Sequence, residues 1–220
     1  WIVLGVFLLI LAHFVLVGAK GGTPPGTPNV LRFHLHERAA HMIAMTSVAF
    51  LAVTGFCFLM GKGNPIGPWA RTIHMYVGYA GAVGAAGIFI FWFIYMFPAK
   101  GDLKWMLKGG GYIIHLKEHL PAGKFNAGQK VLFWMAMALM TVLAITGIEM
   151  AQHRGGHMFQ QELVYTLHDC AALCMILLLM GHVYLGAVVV PHSLRAICGG
   201  KVSDIWAEEH HGLWEFEVKD

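Results

Sequence analysis

The segment that decides the fold runs from Tyr165 to Pro191, YTLHDCAALCMILLLMGHVYLGAVVVP, and is apolar and long enough to cross a lipid bilayer as one helix. It carries two histidines, His168 and His182, which are 14 residues apart. On an α-helix this separation turns through about 1400°, so both imidazoles lie within about 40° of one face and about 21 Å apart along the axis. One helix therefore presents two imidazoles on one side, one toward each membrane surface.

This pair of histidines predicts metal chemistry. Ionisable side chains inside a transmembrane helix are costly, so they are functional candidates by default. Neutral imidazole is a common metal ligand, and haem iron is commonly held by histidine. We therefore expect this helix to supply one axial ligand to each of two stacked b-type haems. The alternative is that both histidines only hydrogen-bond to neighbouring helices.

The composition places the whole chain in a membrane. Of its 220 residues 57% are hydrophobic and only 12% are charged, whereas soluble domains carry about a quarter charged residues. The four cysteines form no C-x-x-C-H motif, so any haem is expected to be held without covalent attachment. The first residue is Trp1 rather than a methionine, so further residues are expected before it in the natural chain.

Apolar runs of helical length predict an all-α integral membrane bundle in a single membrane domain, with five transmembrane helices. Four of them form a dihaem core, and one extra helix precedes them. The predicted helices cover about residues 1–17, 39–60, 70–97, 131–150 and 165–191. The second is expected to begin in polar sequence near Leu31 and to enter the bilayer near Ala39. Residues 98–130 form a polar loop and residues 192–220 a polar tail.

Lysine and arginine are distributed unevenly over the two predicted sides of the membrane. Twelve lie on the side of the long loop and the tail, and three lie on the opposite side. The positive-inside rule therefore predicts a cytoplasmic loop and tail, with the N-terminus on the periplasmic side. The larger set comprises Lys20, Arg32, Arg38, Lys100, Lys104, Lys108, Lys117, Lys124, Lys130, Arg195, Lys201 and Lys219, and the smaller one Lys62, Arg71 and Arg154.

Depth along the predicted helices pairs the candidate haem ligands. His41 lies at the cytoplasmic end of the second helix and His74 at the outer end of the third. His168 lies near the outer end of the fifth helix, and His182 lies deeper, toward the cytoplasm. The prediction is therefore an outer haem b held by His74 and His168, and an inner haem b held by His41 and His182.

Other residues close to these histidines fit the same prediction. Arg38 and Arg71 each precede a proposed ligand by three residues, so they are candidates to neutralise haem propionates, although both also fit as interface anchors. Small residues let another helix or a flat porphyrin approach the backbone closely. The third helix carries four of them at a three-residue spacing, Gly78, Gly81, Gly84 and Gly87.

The segment FNAGQK, residues 125–130, at the predicted cytoplasmic start of the fourth helix, offers a quinone site. Asn126 and Gln129 carry amide donors for quinone carbonyl oxygens, and Gly128 permits close approach. Asn126 fits equally well as a helix N-cap, and both interpretations stay open.

No other chemistry is visible in the sequence. No glycine-rich phosphate loop follows a strand, and no catalytic triad is apparent. The run HLKEH, residues 115–119, matches the H-x-x-E-H zinc-protease pattern. Pro121 follows closely and no third ligand is apparent, so a short interfacial helix is the preferred interpretation.

Five motifs together resemble the cytochrome b (gamma) subunit of bacterial respiratory formate dehydrogenase, over roughly residues 36–214. They are RAAH at 38–41, RTIH-x-x-x-G at 71–78, FNAGQK followed by FW, the histidine pair 14 apart, and GKVSDIWAEEHHGLW at 200–214. The resemblance implies that His41, His74, His168 and His182 are the axial ligands of two haem b groups. It also implies a menaquinone site at Asn126, Gly128 and Gln129, adjoined by His182.

The family also implies partners and a location. A periplasmic molybdenum- or tungsten-containing catalytic subunit and an iron–sulfur subunit would deliver electrons to the outer haem in a bacterial inner membrane. Menaquinone or ubiquinone would take them near the inner haem, with protons drawn from the cytoplasm. The assembly is expected to be a higher oligomer, without nucleic acid. The chain departs from the shortest members by its extra N-terminal crossing, residues 1–17.

Two alternatives remain at this point. One is the cytochrome b subunit of a hydrogenase or a thiosulfate reductase, because substrate specificity would reside in a partner chain. The other is a haem-free membrane anchor or transporter with structural histidines.

Overall fold

The computed structural model describes residues 1–18, 26–60, 67, 69–112, 116, 119–152 and 158–218. Parts of the loops predicted before Leu31 and before Trp69 lie outside the described residues, as does most of the HLKEH run, including His115.

The described chain is helical, and the all-α class is confirmed. Its helices are α1 (Ile2–Leu16), α2 (Leu35–Leu59), α3 (Ala70–Trp92), α4 (Asp102–Leu107), α5 (Ala127–Gln152), α6 (Met158–Tyr184), α7 (Leu194–Gly199) and α8 (Asp204–His211). A 3-10 turn, Phe93–Tyr95, extends α3, and a π-helical turn, Leu185–Val189, extends α6. A second 3-10 turn covers Gly109–Gly111. Two residue pairs, β1 (Val30–Leu31) and β2 (Lys201–Val202), form a short antiparallel ladder.

Four helical segments among the described residues are long and apolar enough to cross a membrane. They are Leu35–Leu59, Ala70–Tyr95, Ala127–Gln152 and Gln161–Val189. The predicted extra helix is present as α1, a shorter apolar helix of 15 residues. These helices display apolar side chains outward, such as Val53 at 65% and Val83 at 68% exposed. A bilayer covers such surfaces, so the chain is a multi-pass membrane protein.

The chain divides into two compact units. The helix unit comprises residues 39–91 and 135–176, and the loop unit comprises residues 1–38, 92–134 and 177–220.

In the helix unit, α2 and α3 pack with their backbones close together. A Cβ atom added at Gly84 would lie 2.6 Å from the backbone nitrogen of Ala44, and one at Gly87 would lie 2.9 Å from the Cβ of Ala40. One at Gly81 would lie 3.2 Å from the Cβ of Ser47. Three of the four glycines singled out in α3 therefore serve helix packing, whereas a Cβ at Gly78 would meet no described atom within 4 Å.

In the loop unit, the segment before α2 pairs with the tail. Val30 opposes Val202, and both are almost fully buried. Gly200 takes a positive φ of 80°, and a Cβ there would lie 2.7 Å from the carbonyl oxygen of Phe33. The prediction of a helix from Leu31 is wrong, because this stretch forms its backbone hydrogen bonds with the distant tail and α2 begins at Leu35.

The polar loop and tail have their own secondary structure. The loop contains α4 and the Gly109–Gly111 turn, and α5 begins at Ala127 rather than near residue 131. In the tail, the Ser203 hydroxyl caps α8 by accepting from the Trp206 backbone N–H at 3.2 Å. Beyond α8 the Leu213 N–H donates to the carbonyl of Ala122 at 2.9 Å, which attaches the tail to the segment before α5.

Candidate functional site

His74 stands one turn inside α3 and is half-buried in the helix unit. Its Nδ1 lies 2.6 Å from the hydroxyl oxygen of Thr54 on α2, which is 1% exposed. The ring of Phe58 meets it edge-on at 5.6 Å between centroids. Gly55, next to Thr54, also faces the ring, because a Cβ there would lie in ordinary van der Waals contact with Cε1 of His74 at 3.6 Å.

His168 is held in the same way within the helix unit. Its Nδ1 lies 2.7 Å from the hydroxyl oxygen of Thr146 on α5, which is 6% exposed. A Cβ at Gly147 would lie 3.5 Å from Cε1 of His168. His74 and His168 thus have matching surroundings, each ring held at Nδ1 by a buried threonine of another helix. Their pairing at one haem stays a prediction.

The remaining ring nitrogens of this pair suit haem. Neither His74 nor His168 makes a hydrogen bond through Nε2 to any residue that the structure describes. An imidazole that binds a metal through one nitrogen usually donates a hydrogen bond from the other, which orients the ring. Two such imidazoles, half-buried among apolar helices, are a donor set that fits haem iron.

His41 and His182 are each half-buried and lie in different units. His41 belongs to the helix unit, on the second turn of α2, and His182 belongs to the loop unit, near the end of α6. The π-helical turn Leu185–Val189 begins three residues after His182. Single π-helical turns of this kind occur frequently at functional sites.

The two arginines predicted to neutralise propionates have different surroundings. Arg71 is exposed at the start of α3. Arg38 is half-buried in the loop unit, and its guanidinium donates from Nε to the carbonyl of Ile197 at 3.0 Å and from Nη2 to the carbonyl of Cys198. Part of the Arg38 donor capacity is therefore used at the end of α7.

Asn126 and Gln129 form a reciprocal capping box at the start of α5. The Asn126 side-chain oxygen accepts from the Gln129 N–H at 2.9 Å, and the Gln129 side-chain oxygen accepts from the Asn126 N–H at 3.0 Å. Both amide oxygens are thereby engaged. Neither side-chain NH2 group donates to any residue in the described part of the chain. Capping and ligand binding are thus compatible, because capping uses the side-chain oxygens of Asn126 and Gln129 and a ligand would accept from their NH2 groups.

The space over Gly128 belongs to Trp105. A Cβ at Gly128 would lie 2.7 Å from Cη2 of that indole, and one at Gly110 would lie 2.3 Å from its Cζ2. Trp105 is 8% exposed and packs edge-on against Tyr112 at 5.8 Å between centroids. The close approach that Gly128 permits is thus made by Trp105 of the polar loop.

Charged side chains are buried in the loop unit near this capping box. Glu37 is 4% exposed and accepts from Nε1 of Trp92 at 2.7 Å and from Nζ of Lys124 at 3.2 Å. Lys130, on the first turn of α5, pairs with Asp102 of α4 at 2.7 Å. The Glu37–Lys124 pair joins the start of α2 to the segment before Asn126. The Lys130–Asp102 pair joins the first turn of α5 to α4.

Arg32 is the most enclosed arginine or lysine among the described residues of the loop unit. It is 3% exposed, its Nη2 donates to the carbonyl of Lys124 at 3.1 Å, and its guanidinium lies 4.9 Å from the ring centroid of Trp206. Burial lowers the pKa of Arg32 to about 9, and Tyr112 opposes that shift. The side chain therefore keeps its charge at neutral pH, where aromatic faces stabilise it.

Thr54 and Thr146 are the functional candidates that sequence analysis missed. A signal was present, because α2 contains LAVTG at residues 51–55 and α5 contains LAITG at residues 143–147. The repeat places a threonine followed by a glycine on each of two helices. Its meaning depends on which histidine each threonine meets, and only the packed helices show that.

A multi-pass helical bundle with half-buried imidazoles on three of its membrane helices defines a membrane protein equipped to hold haem. The model of the prokaryotic cytochrome b561 family matches residues 32–200, and the chain belongs to this family. Membership implies haem b as the cofactor.

Similar proteins carry more specific names. The chain is 29% identical over 206 residues to the "Formate dehydrogenase, nitrate-inducible, cytochrome b556(Fdn) subunit" of Escherichia coli, a match covering 86% of this chain and 92% of that protein. It is 28% identical over 198 residues to the "Formate dehydrogenase, cytochrome b556 subunit" of Haemophilus influenzae, covering 84% and 82%. A second E. coli relative, "Formate dehydrogenase, cytochrome b556(fdo) subunit", is 27% identical over 203 residues. The resemblance to the formate dehydrogenase cytochrome b subunit is confirmed.

Proposed function

We propose that this chain is a dihaem cytochrome b that carries electrons from a periplasmic dehydrogenase, most specifically a formate dehydrogenase, to a quinone reduced near the cytoplasmic side. The observation that carries the proposal is the half-buried His74–His168 pair, each ring held at Nδ1 while Nε2 has no partner among the described residues. Haem b bound there would supply reversible one-electron transfer.

His74 and His168 would hold the outer haem, and His41 and His182 the inner one. The support for two haems is the depth of the four histidines along the predicted helices. Open space at Gly78, one turn after His74, leaves room beside that ligand. Arg71 is exposed and would pair with a propionate of the outer haem. Arg38 would pair with a propionate of the inner haem through the guanidinium N–H groups that do not donate to Ile197 and Cys198.

The quinone would bind at the start of α5. Asn126 and Gln129 would donate from their NH2 groups to quinone carbonyl oxygens, since their own oxygens are used in the capping box. Gly128 has no side chain, so only Trp105 covers the backbone at that position. The buried Trp105 indole would form an aromatic wall of the quinone site. The chain would thus be the quinone-reducing subunit of an oxidoreductase complex.

The partners and orientation follow from the relatives and from charge. The relatives are cytochrome subunits of formate dehydrogenases, so a catalytic subunit and an iron–sulfur subunit would contact this chain at the periplasmic side of a bacterial inner membrane. The excess of lysine and arginine in the long loop and tail supports a cytoplasmic location for both. The N-terminus would then be periplasmic and the C-terminus cytoplasmic.

The first experiment counts haem. The full chain, purified with its native partners, is expected to give a pyridine haemochrome value of two haem b per chain, both reducible by formate. One haem per chain would refute the dihaem assignment. Absence of haem would refute the electron path altogether. Haem that dithionite reduces but formate does not would refute formate dehydrogenase as the donor.

The quinone site is tested by variants that separate capping from donation. Gln129→Glu and Asn126→Asp each keep an oxygen for the capping box and replace the NH2 donor by a second oxygen. We expect quinone reduction to slow at least tenfold, because a donor is lost and an acceptor faces the quinone carbonyl. Haem content and the reduction of both haems by formate should not change. Unimpaired quinone turnover in both variants would leave the segment with a capping role alone.

A further inference from the structure

The hydrogen-bond geometry around Thr54 determines where its only proton goes. Its hydroxyl lies 2.9 Å from the carbonyl oxygen of Phe50 and 3.3 Å from that of Leu51, both one turn back on α2. A carbonyl oxygen can only accept, so the hydroxyl proton is donated within the helix. The oxygen of Thr54 is then free to accept from His74, whose Nδ1 is 2.6 Å away.

Thr146 repeats this arrangement on a second helix. Its hydroxyl lies 2.7 Å from the carbonyl oxygen of Val142 and 3.3 Å from that of Leu143. Its oxygen lies 2.7 Å from Nδ1 of His168. With each hydroxyl proton donated to its own helix, Nδ1 is the hydrogen-bond donor of each imidazole and the lone pair of the neutral ring is on Nε2.

We propose that Thr54 and Thr146 are positioning residues for the two outer haem ligands, and that they lower the redox potential of the haem those ligands hold. Accepting the Nδ1 proton fixes the tautomer and the ring orientation and makes Nε2 a stronger electron donor. A stronger donor favours oxidised iron. The proposal rests on His74 and His168 being the ligands of the proposed function.

The glycine that follows each threonine faces the same imidazole. A Cβ at Gly55 or Gly147 would lie 3.6 Å or 3.5 Å from the Cε1 atom of the corresponding histidine. Each ring thus contacts two successive residues of the facing helix, the threonine at Nδ1 and the glycine beside Cε1. The LAVTG and LAITG segments therefore each contact one imidazole through a threonine and the glycine after it.

The effect of this hydrogen bond on potential has a definite direction. A threonine hydroxyl is neutral, so it increases the basicity of imidazole without converting it to imidazolate. When the acceptor is lost, the ring donates less electron density to iron, and the potential of the outer haem rises. A threonine that only filled space would leave the potential unchanged when replaced by the isosteric valine.

The test compares Thr54→Val and Thr146→Val with matched threonines on the same helices. Thr46 on α2 and Thr141 on α5 donate to the carbonyls of Met42 and Met137 at 2.8 Å, are exposed, and meet no histidine. The measurement is a potentiometric titration of both haems in the intact complex, together with the low-spin electron paramagnetic resonance signals.

We expect each valine variant to keep two haems, to raise the potential of the outer haem, and to shift only that haem's resonance signal. Thr54→Ser and Thr146→Ser should restore both properties, and Thr46→Val and Thr141→Val should change neither. An unshifted potential in the valine variants, or an equal shift in the two control variants, would overturn the proposal. If a valine variant loses the outer haem, retention of that haem by the serine variant still supports the proposal, and loss in both refutes it.

His168→Ala separates this inference from the function on which it depends. That variant should lose the outer haem and keep most of the inner one, so the haem content should fall by about half. If the haem content falls by about half in His168→Ala, but the valine variants do not shift the potential of the outer haem, the ligand assignment stands and the threonine proposal fails. If His168→Ala keeps both haems, the ligand assignment itself is refuted.

Discussion

The helix unit and the loop unit are stabilised by different interactions. In the helix unit, glycines let backbones approach, and the buried hydroxyls of Thr54 and Thr146 are satisfied by their own helices and by histidines. In the loop unit, ion pairs and enclosed cations such as Arg32 are added to the backbone contacts of the short ladder. The difference follows from solvent. Lipid gives helices no hydrophobic reason to associate, whereas chain that meets water can bury charge in paired networks.

The largest expected effect comes from removing the carboxylate of Glu37. Glu37→Leu leaves Lys124 without its carboxylate, which costs about 3–5 kcal/mol for a buried pair. Lys124→Met should cost less, since Glu37 keeps the Trp92 indole N–H and the His34 backbone N–H, both at 2.7 Å. The measurement is the apparent Tm in detergent. Glu208→Leu, at an exposed position of α8, is the control, and an equal loss there would show that burial of Glu37 is irrelevant.

The second prediction concerns backbone packing in the helix unit. Gly84→Ala forces α2 and α3 apart, because its Cβ would lie 2.6 Å from a backbone nitrogen that cannot rotate away. Overpacking of this kind costs about 1–3 kcal/mol. We expect a lower apparent Tm and weaker retention of the outer haem. Gly5→Ala on α1, where no described atom lies within 4 Å of the added Cβ, should change neither. An unaffected Gly84→Ala variant would contradict the packing described for α2 and α3.

The smallest effect is a pH dependence of the loop unit. Burial, together with Arg32, holds the pKa of His211 well below its usual value, although its Nδ1–H donates to the carbonyl of Gly123 at 2.6 Å. The unfolded chain takes up this proton near pH 6.5 and the folded chain does not. Stability is therefore full above about pH 6.5 and falls with decreasing pH, by at most about 1.4 kcal/mol per unit.

His211→Gln is the matched variant for this pH dependence, because it keeps a donor for Gly123 and cannot titrate. The apparent Tm of the wild type should fall between about pH 7 and pH 5, and that of the variant should fall less. The other groups facing His211 are Arg32, which stays charged over this range, and His210, which also lowers the pKa of His211. Parallel slopes in the two proteins would assign the acid sensitivity to another group.

Much of the site could be predicted because it depends on local sequence. Apolar length predicts a membrane helix whatever its neighbours, and a histidine inside such a helix is conspicuous for its cost. The FNAGQK segment also follows a local rule, since an asparagine and a glutamine three residues apart can cap a helix. His74 and His168 were predicted as a pair from depth alone; in the structure each ring contacts a threonine of another helix, and their pairing stays a prediction.

The errors of prediction have a common physical cause. The residues near Leu31 resemble a polar helix start, but Val30 pairs with Val202 and the strand displaces the helix. The packing of Trp105 over Gly128 was likewise not predicted, while the assignment of Gly128 to a quinone site stays a prediction. In both cases the partner is far away along the chain or within another element, so no local pattern contains it.

The sequence by itself determined the class of protein, the helices long and apolar enough to span a membrane, and the histidines that are candidates to bind haem, because hydrophobic length and the cost of a buried ionisable group are properties of a segment. Tertiary structure alone decided which nitrogen of His74 and His168 faces away from its helix partner. That choice depends on a threonine hydroxyl brought from another helix, whose proton is already committed to its own backbone. The two threonine–histidine contacts, 2.6 and 2.7 Å long, join residues 20 and 22 positions apart, so only the packed chain defines them.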